Sequence, residues 1–189
     1  LTLIPQIGDI IAKRLIDHFG SASAIFQAKR SLLEAAPEIG TVRAAAIRQF
    51  DDFKRVEQEL LFITRYGIQP LFYGEPGYPK RLYHCHDSPV LLYFKGNTDF
   101  NTGRIVSVIG TRSPSSYGRQ ICEQLVAELA PYDVTVISGL AYGIDIIAHK
   151  AALTAGLPTV GVLAHGLDRL YPAAHKAVAQ QLLHRGGLL

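Results

Sequence analysis

Val134-Thr135-Val136-Ile137-Ser138-Gly139-Leu140-Ala141-Tyr142-Gly143-Ile144-Asp145-Ile146-Ile147-Ala148-His149 reads as a buried strand, a glycine-rich turn and the start of a helix in one uninterrupted run. The same alternation repeats on either side. Upstream, Arg104 to Ile109 is an apolar strand, followed by a helix from Ser115 to Ala130 with Ile121, Cys122, Leu125, Val126 and Leu129 on one face. Downstream, the helix around Ile144 to Ala155 leads to a strand at Thr159 to Leu163, a helix from about Pro172 to Leu183, and Gly186-Gly187-Leu188-Leu189, whose leucines read as a fourth strand cut short. Buried apolar strands separated by amphipathic helices mean βαβ units. The expected fold class is therefore α/β, a parallel sheet with flanking helices on both faces.

In such a sheet ligands bind at the carboxyl ends of the strands, so the loops there carry the functional reading. The first is Gly110-Thr111-Arg112-Ser113-Pro114-Ser115-Ser116-Tyr117-Gly118, the second Ser138 to Asp145, and the third Ala164-His165-Gly166-Leu167-Asp168 running on to Tyr171-Pro172. Glycines at 110, 139, 143 and 166 let backbone amides approach a ligand, hydroxyls at 111, 113, 115, 116 and 138 add donors, and Arg112 supplies a planar cation. That collection suits phosphate. It does not suit a nicotinamide dinucleotide, because Gly-x-Gly-x-x-Gly is missing and the second strand ends without an acidic residue, and no Walker A run occurs.

Ser138, Asp145, His149 and His165 supply the residue types of a hydrolytic triad, but Ser138 lies outside any Gly-x-Ser-x-Gly elbow. No glutamate follows Glu128, which leaves Asp133, Asp145 and Asp168 as the only carboxylates for glycosidic chemistry. Asp145 reads instead as the first-turn partner of its helix and His149 as a packing or hydrogen-bonding residue. No catalytic residue, cofactor or metal site is assigned, and a nucleotide-binding or nucleotide-hydrolysing enzyme on a related scaffold is the alternative reading.

Residues 1–66 read as an all-helical domain. Pro5-Gln6-Ile7-Gly8 opens an amphipathic helix that ends at Gly20, and Pro37-Glu38-Ile39-Gly40 opens a second, with Val42, Ala46, Phe50, Phe53, Val56, Leu60 and Ile63 predicting one helix of roughly 25 residues. Two such turns resemble the helix-hairpin-helix family, whose hairpin amides hold nucleic-acid phosphates. Asp9 and Thr41 follow the glycines where DNA-binding hairpins often place a basic residue, and the segment holds nine basic and eight acidic side chains. Helical packing and DNA contact therefore both stay open for it.

The second domain is expected over 67–189, beginning with a β connector at 67–103 in which Gln69 to Tyr73 and Pro89 to Lys95 are strand-like. His84-Cys85-His86-Asp87 lies in it, but four adjacent residues cannot all face one ion, and no second pair follows at zinc spacing. The 189-residue composition is that of an ordinary globule, 48% hydrophobic and 19% charged, with a formal charge of +3 that permits nucleic acid without arguing for it. Two cysteines make no disulfide framework, no apolar run reaches ~20 residues, and Leu1 to Pro5 lacks a basic leader, so a cytoplasmic protein is expected. The chain contains no methionine and begins at Leu1, as a piece of a longer product would.

Gly110-Thr111-Arg112 with Ser116-Tyr117-Gly118, then Ser138 to Asp145, Ala148-His149-Lys150-Ala151-Ala152-Leu153, and Gly166-Leu167-Asp168 with Tyr171-Pro172 closely resemble the DNA processing protein A family (DprA, also called Smf). Tyr78-Pro79-x-x-Leu82 and Pro89-Val90-Leu91-Leu92-Tyr93-Phe94-Lys95-Gly96 match its connector. The resemblance implies a Rossmann-like fold and a homodimeric, non-enzymatic protein that coats incoming single-stranded DNA and loads the RecA recombinase during natural transformation. The DNA-binding residues it implies, together with the loop chemistry, are Gly110, Thr111, Arg112, Ser116, Tyr117, Ser138, Gly139, Tyr142, Gly143, Gly166, His175 and Lys176. Tyr117, Tyr142 and Tyr171 offer stacking faces, with packing against a loop as the alternative for each. Two departures stand out. The family's Lys after Tyr-Pro is Ala173 here and its Asn two residues later is His175, leaving His175 or Lys176 to replace that contact. The family's remaining strands and Arg-rich loop, and with them dimer and RecA surfaces, are expected beyond Leu189.

Overall fold

The computed structural model describes residues 1–189, which divide into two compact units: 1–66 with 72–92, and 67–71 with 93–189. The connector that the sequence reading assigns whole to the second domain is thus shared between the two. No helix is long and apolar enough to cross a membrane.

In the first unit, helices α1 (Asp9–Phe19), α2 (Ala22–Gln27), α3 (Arg30–Ala35), α4 (Gly40–Gln49) and α5 (Phe53–Tyr66) follow one another. Its core of Ile4, Ile7, Leu15, Ile25, Leu33, Ile39 and Ile47 also takes in Tyr73, Val90 and Leu91 from the connector. The two Pro-x-Ile-Gly turns are matched in conformation, since Gln6 and Glu38 both adopt positive φ, at 66° and 63°. Arg43 donates to the carbonyls of both, which staples one turn to the other. Asp9 accepts the Val90 amide at 2.9 Å, so the carboxylate after the first turn anchors the connector. The His84 to Asp87 run plays a similar part: Lys13 is buried and its ammonium donates to the His86 carbonyl at 2.6 Å and to Ser88 Oγ at 3.0 Å.

The single helix expected after Gly40 is two. Phe50 leaves helical geometry at φ −66°, ψ 122°, and α5 restarts at Phe53, with Asp52 Oδ1 accepting the Arg55 amide at 3.3 Å. An Asp pair favours capping over helix interior because its short carboxylate competes for backbone amides. Phe50 and Phe53 meet across the break, ring centroids 5.3 Å apart, so the apolar periodicity runs through it.

The second unit is built on a six-stranded sheet in the order β1 (Gln69–Phe72), β2 (Leu91–Gly96), β6 (Gly186–Leu188), β5 (Thr159–Gly161), β4 (Val134–Ser138), β3 (Arg104–Ser107). Strands β3 to β6 are parallel and run in sequence order, while β2 pairs antiparallel with β6, Gly96 opposite Gly187. That pairing needs glycine at 187, where φ is 159° and a Cβ would strike the Phe94 ring and the Lys95 carbonyl.

Helices α6 (Ser116–Glu128), α7 (Ile144–Thr154) and α8 (Lys176–His184) connect the parallel strands. The expectation of helices on both faces is corrected here. With no reversal in strand order, right-handed crossovers put every connecting helix on the same side. Val126, Ile147, Ala179 and Leu182 accordingly share one core with Val134 and Val136, which includes the buried Cys122. On the opposite face, Ile105, Ile137 and Val160 cluster with Leu71, Phe94 and Leu189 from the neighbouring strands and with Phe100 from the segment between β2 and β3.

Candidate functional site

The loops after β3, β4 and β5 gather along one edge of the second unit, where the N-termini of α6, α7 and α8 also lie. Neither α6 nor α8 carries an acidic residue in its first turn, so both present the positive end of the helix dipole to that edge. Ser115 caps α6, its Oγ accepting the Gly118 amide at 3.1 Å, and Thr111 Oγ1 accepts the Ser113 amide at 3.2 Å. These two hydroxyls fix the first loop around Arg112.

The first and second loops are in direct contact. The Ile144 amide donates to the Thr111 carbonyl at 3.1 Å, and Gly143 has φ 84° and ψ −129°. A side chain at 143 would collide with the Thr111 carbonyl oxygen and the Arg112 backbone, so this position takes only glycine. Gly139 is held for a related reason, because a Cβ there would lie 2.7 Å from Asp145 Oδ2. Asp145 is buried and accepts the Ala141 amide at 3.4 Å, while Arg112 is exposed and takes part in no ion pair. The guanidinium therefore stands unneutralised where the two loops meet.

The third loop is organised by His165, which bonds the Gly166 carbonyl through Nδ1 at 2.9 Å and accepts the Tyr171 amide at Nε2 at 3.3 Å. Gly166 is exposed beside it, and Lys176 is exposed at the start of α8. Tyr117 and Tyr171 are 71% and 69% exposed, and Tyr142 is 47% exposed with its ring edge-on to His175 at 5.0 Å. All three tyrosines thus keep open faces at this edge.

Two of the residues named from the sequence turn inward. Ser138 is 3% exposed and its Oγ donates to the Val108 carbonyl at 2.7 Å, extending the β3–β4 pairing past the end of the strand. His175 is 7% exposed, and its Nδ1 donates to the carbonyl of Leu140, a buried residue at φ 59°. Both side chains thus support the loops. His175 falls in the turn before α8, and that turn decides that 175 faces in while 176 faces out.

Behind the loops, His149 is fully buried and pairs through Nδ1 with Thr159 Oγ1 at 2.7 Å. Burial holds its imidazole down to about 4, against the opposing pull of Asp145 and the Ser138 backbone. The Cys122 thiol is pushed up, first by burial and then by Glu123 and Asp145.

The sequence reading missed what lies beyond the loops. Arg112, Pro114, Tyr142 and Gly143 form the upper end of a groove of about 600 Å³ that continues between α6 and α7, past Arg119, Glu123, Ile147 and Lys150. Arg119 and Lys150 sit on helix faces that composition presents as ordinary solvated surface, and only the pairing of the two helices brings them together.

Residues 69–189 match the family model described as DNA recombination-mediator protein A, and residues 2–59 match one described as a helix-hairpin-helix motif. The DNA processing protein DprA of Bacillus subtilis is 31% identical over 144 residues, covering 75% of this chain and 48% of that protein. The X-ray structure of DNA processing protein A from Streptococcus pneumoniae superposes with a TM-score of 0.75 at 25% identity, over 97% of this chain and 62% of that one. A structure of DNA processing protein A from Helicobacter pylori, which concerns that protein's single-stranded DNA binding mode, superposes with a TM-score of 0.57 at 32% identity, over 66% of this chain and 55% of that one. The chain spans about half the length of the Bacillus relative it matches.

Proposed function

Since the chain belongs to the DNA recombination-mediator protein A family, we propose that its second unit binds single-stranded DNA by the phosphates, at the edge where the three loops converge. The observation that carries this reading is Arg112, an exposed guanidinium with no carboxylate partner, set in the first glycine-rich loop where it meets the second and four residues ahead of α6. Gly110, Gly139, Gly143 and Gly166 bring backbone close to the ligand, Thr111 and Ser116 flank the cation, and Lys176 adds a second charge. Tyr117, Tyr142 and Tyr171 take base faces by stacking, which every base accepts, so binding is indifferent to sequence.

The role is that of a binding protein and not of an enzyme. Ser138 gives its proton to a backbone carbonyl, His149 faces Thr159 and His165 braces its own loop, so the groups a hydrolase would use are committed to the fold. The Helicobacter relative's single-stranded DNA binding supports the same ligand. We further assign this unit to processing of DNA taken up in transformation, with protection of the strand, hand-over to the RecA recombinase and pairing with a second copy as the associated steps in the cytoplasm.

Titration of the chain with single- and double-stranded oligonucleotides at several salt concentrations, with a mononucleotide competitor, tests the reading. Single strands of unrelated sequence should bind alike and weaken steeply with salt. Release of a base or phosphate from the competitor that vanishes in Asp145→Asn would replace it with an enzymatic one.

A further inference from the structure

The groove between α6 and α7 opens directly off the Arg112 loop and has a composition of its own. Its floor is aliphatic, from Ala127, Ile146, Ile147 and Ala151, and its rim carries Arg112, Arg119 and Lys150 against the single carboxylate of Glu123. Arg119 and Lys150 are exposed, and neither takes part in an ion pair. From Gly143 to Ala155 the groove follows α7 for roughly 18 Å, at ~1.5 Å of rise per residue. It exists because strand order is monotonic: α6 and α7 lie side by side on one face, and the channel between them starts where β3 and β4 end.

We propose that this groove is a second stretch of the binding site, which leads single-stranded DNA from the loops along α6 and α7, with Arg119 and Lys150 holding phosphates. The proposal rests on the reading of the loops given above and adds a course for the strand. Charge complementarity selects the occupant, since three unpaired cations facing one carboxylate attract a polyanion, and an acidic strand entering at Arg112 is already aligned with the channel. The small side chains at 127, 151 and 155 leave width for base faces against the isoleucines. Thr154 is the one uncharged hydrogen-bonding side chain of the helical part of the groove besides the Tyr142 hydroxyl at its mouth, so the groove reads charge and shape and not base identity.

A homothymidine length series, measured by fluorescence anisotropy at several salt concentrations, tests the assignment in the wild-type chain, Arg112→Ala, the double variant Arg119→Gln/Lys150→Gln, and Glu123→Gln. For long strands the double variant should lose about tenfold in affinity, and its salt slope should fall by about 1.4, or ~0.7 for each of two phosphates. Strands too short to leave the loops should lose little, and Glu123→Gln should bind long strands more tightly than wild type. A double variant with wild-type affinity and slope at every length, alongside a weakened Arg112→Ala, overturns the groove and leaves the loop site standing. Absence of single-strand binding by the wild-type chain overturns both. A double variant that changes sedimentation behaviour while keeping its salt slope makes the groove a contact between copies, which also overturns the assignment. Glu123→Gln removes a charge from an exposed helix face, so its gain or lack of gain decides the matter even if the double variant folds poorly.

Discussion

Ser138 and Arg112 stand at the ends of neighbouring strands and act in opposite directions, one into the sheet and one out of it. Ser138→Ala leaves the Val108 carbonyl without its partner in a part-buried setting, a loss of about 1 kcal/mol. Urea denaturation should show that loss, with single-strand affinity of the folded variant unchanged. His175 is a second inward support, and its Nδ1–H is matched in reach by the amide of asparagine. His175→Asn should therefore keep most of the stability that His175→Ala loses, by comparison of urea midpoints, because only the former can still donate to Leu140. A sequence shows which loop residues are polar but not which way each one points. Ser138 and Thr111 look alike on paper, and the register of β4 is what buries the first. Arg112 was legible because no carboxylate shares its loop.

At the scale of elements, the change from helical period to strand and helix alternation at Arg104 marked the four parallel strands, down to Leu188 near the end of the chain, whereas β1 and β2 of the same sheet lie upstream of it in the connector. Two features were not legible for physical reasons. Apolar periodicity is continuous across 42–63, so the break between α4 and α5 shows only in capping chemistry: Asp52→Ala should fray the start of α5 and cost about 1 kcal/mol, seen as lost helical circular dichroism and a lower urea midpoint. The placement of α6, α7 and α8 on one face follows from strand order, which is a tertiary property that local pattern does not encode. The groove lined by Arg119 and Lys150 was invisible for the same reason, as neither helix alone contains it.

For the whole molecule, the buried imidazole of His149 links stability to pH. Its folded value of about 4 lies below the ordinary 6.5, so between those values the unfolded chain takes up a proton that the folded chain refuses. Stability is thus unaffected above pH 6.5 and falls by about 3 kcal/mol as the pH drops toward 4. Equilibrium unfolding across that range should show the decline, and His149→Gln should flatten it. The central claim, that the strand-end loops hold single-stranded DNA by its phosphates, is tested most directly on Arg112→Ala, whose melting temperature is compared with its affinity for several unrelated strands over a range of salt. The variant should melt with wild type, bind every strand more weakly to a similar degree, and show a salt slope reduced by about 0.7 for the single phosphate lost. A variant that melts early and yet binds normally when folded would contradict the account and make Arg112 a structural residue.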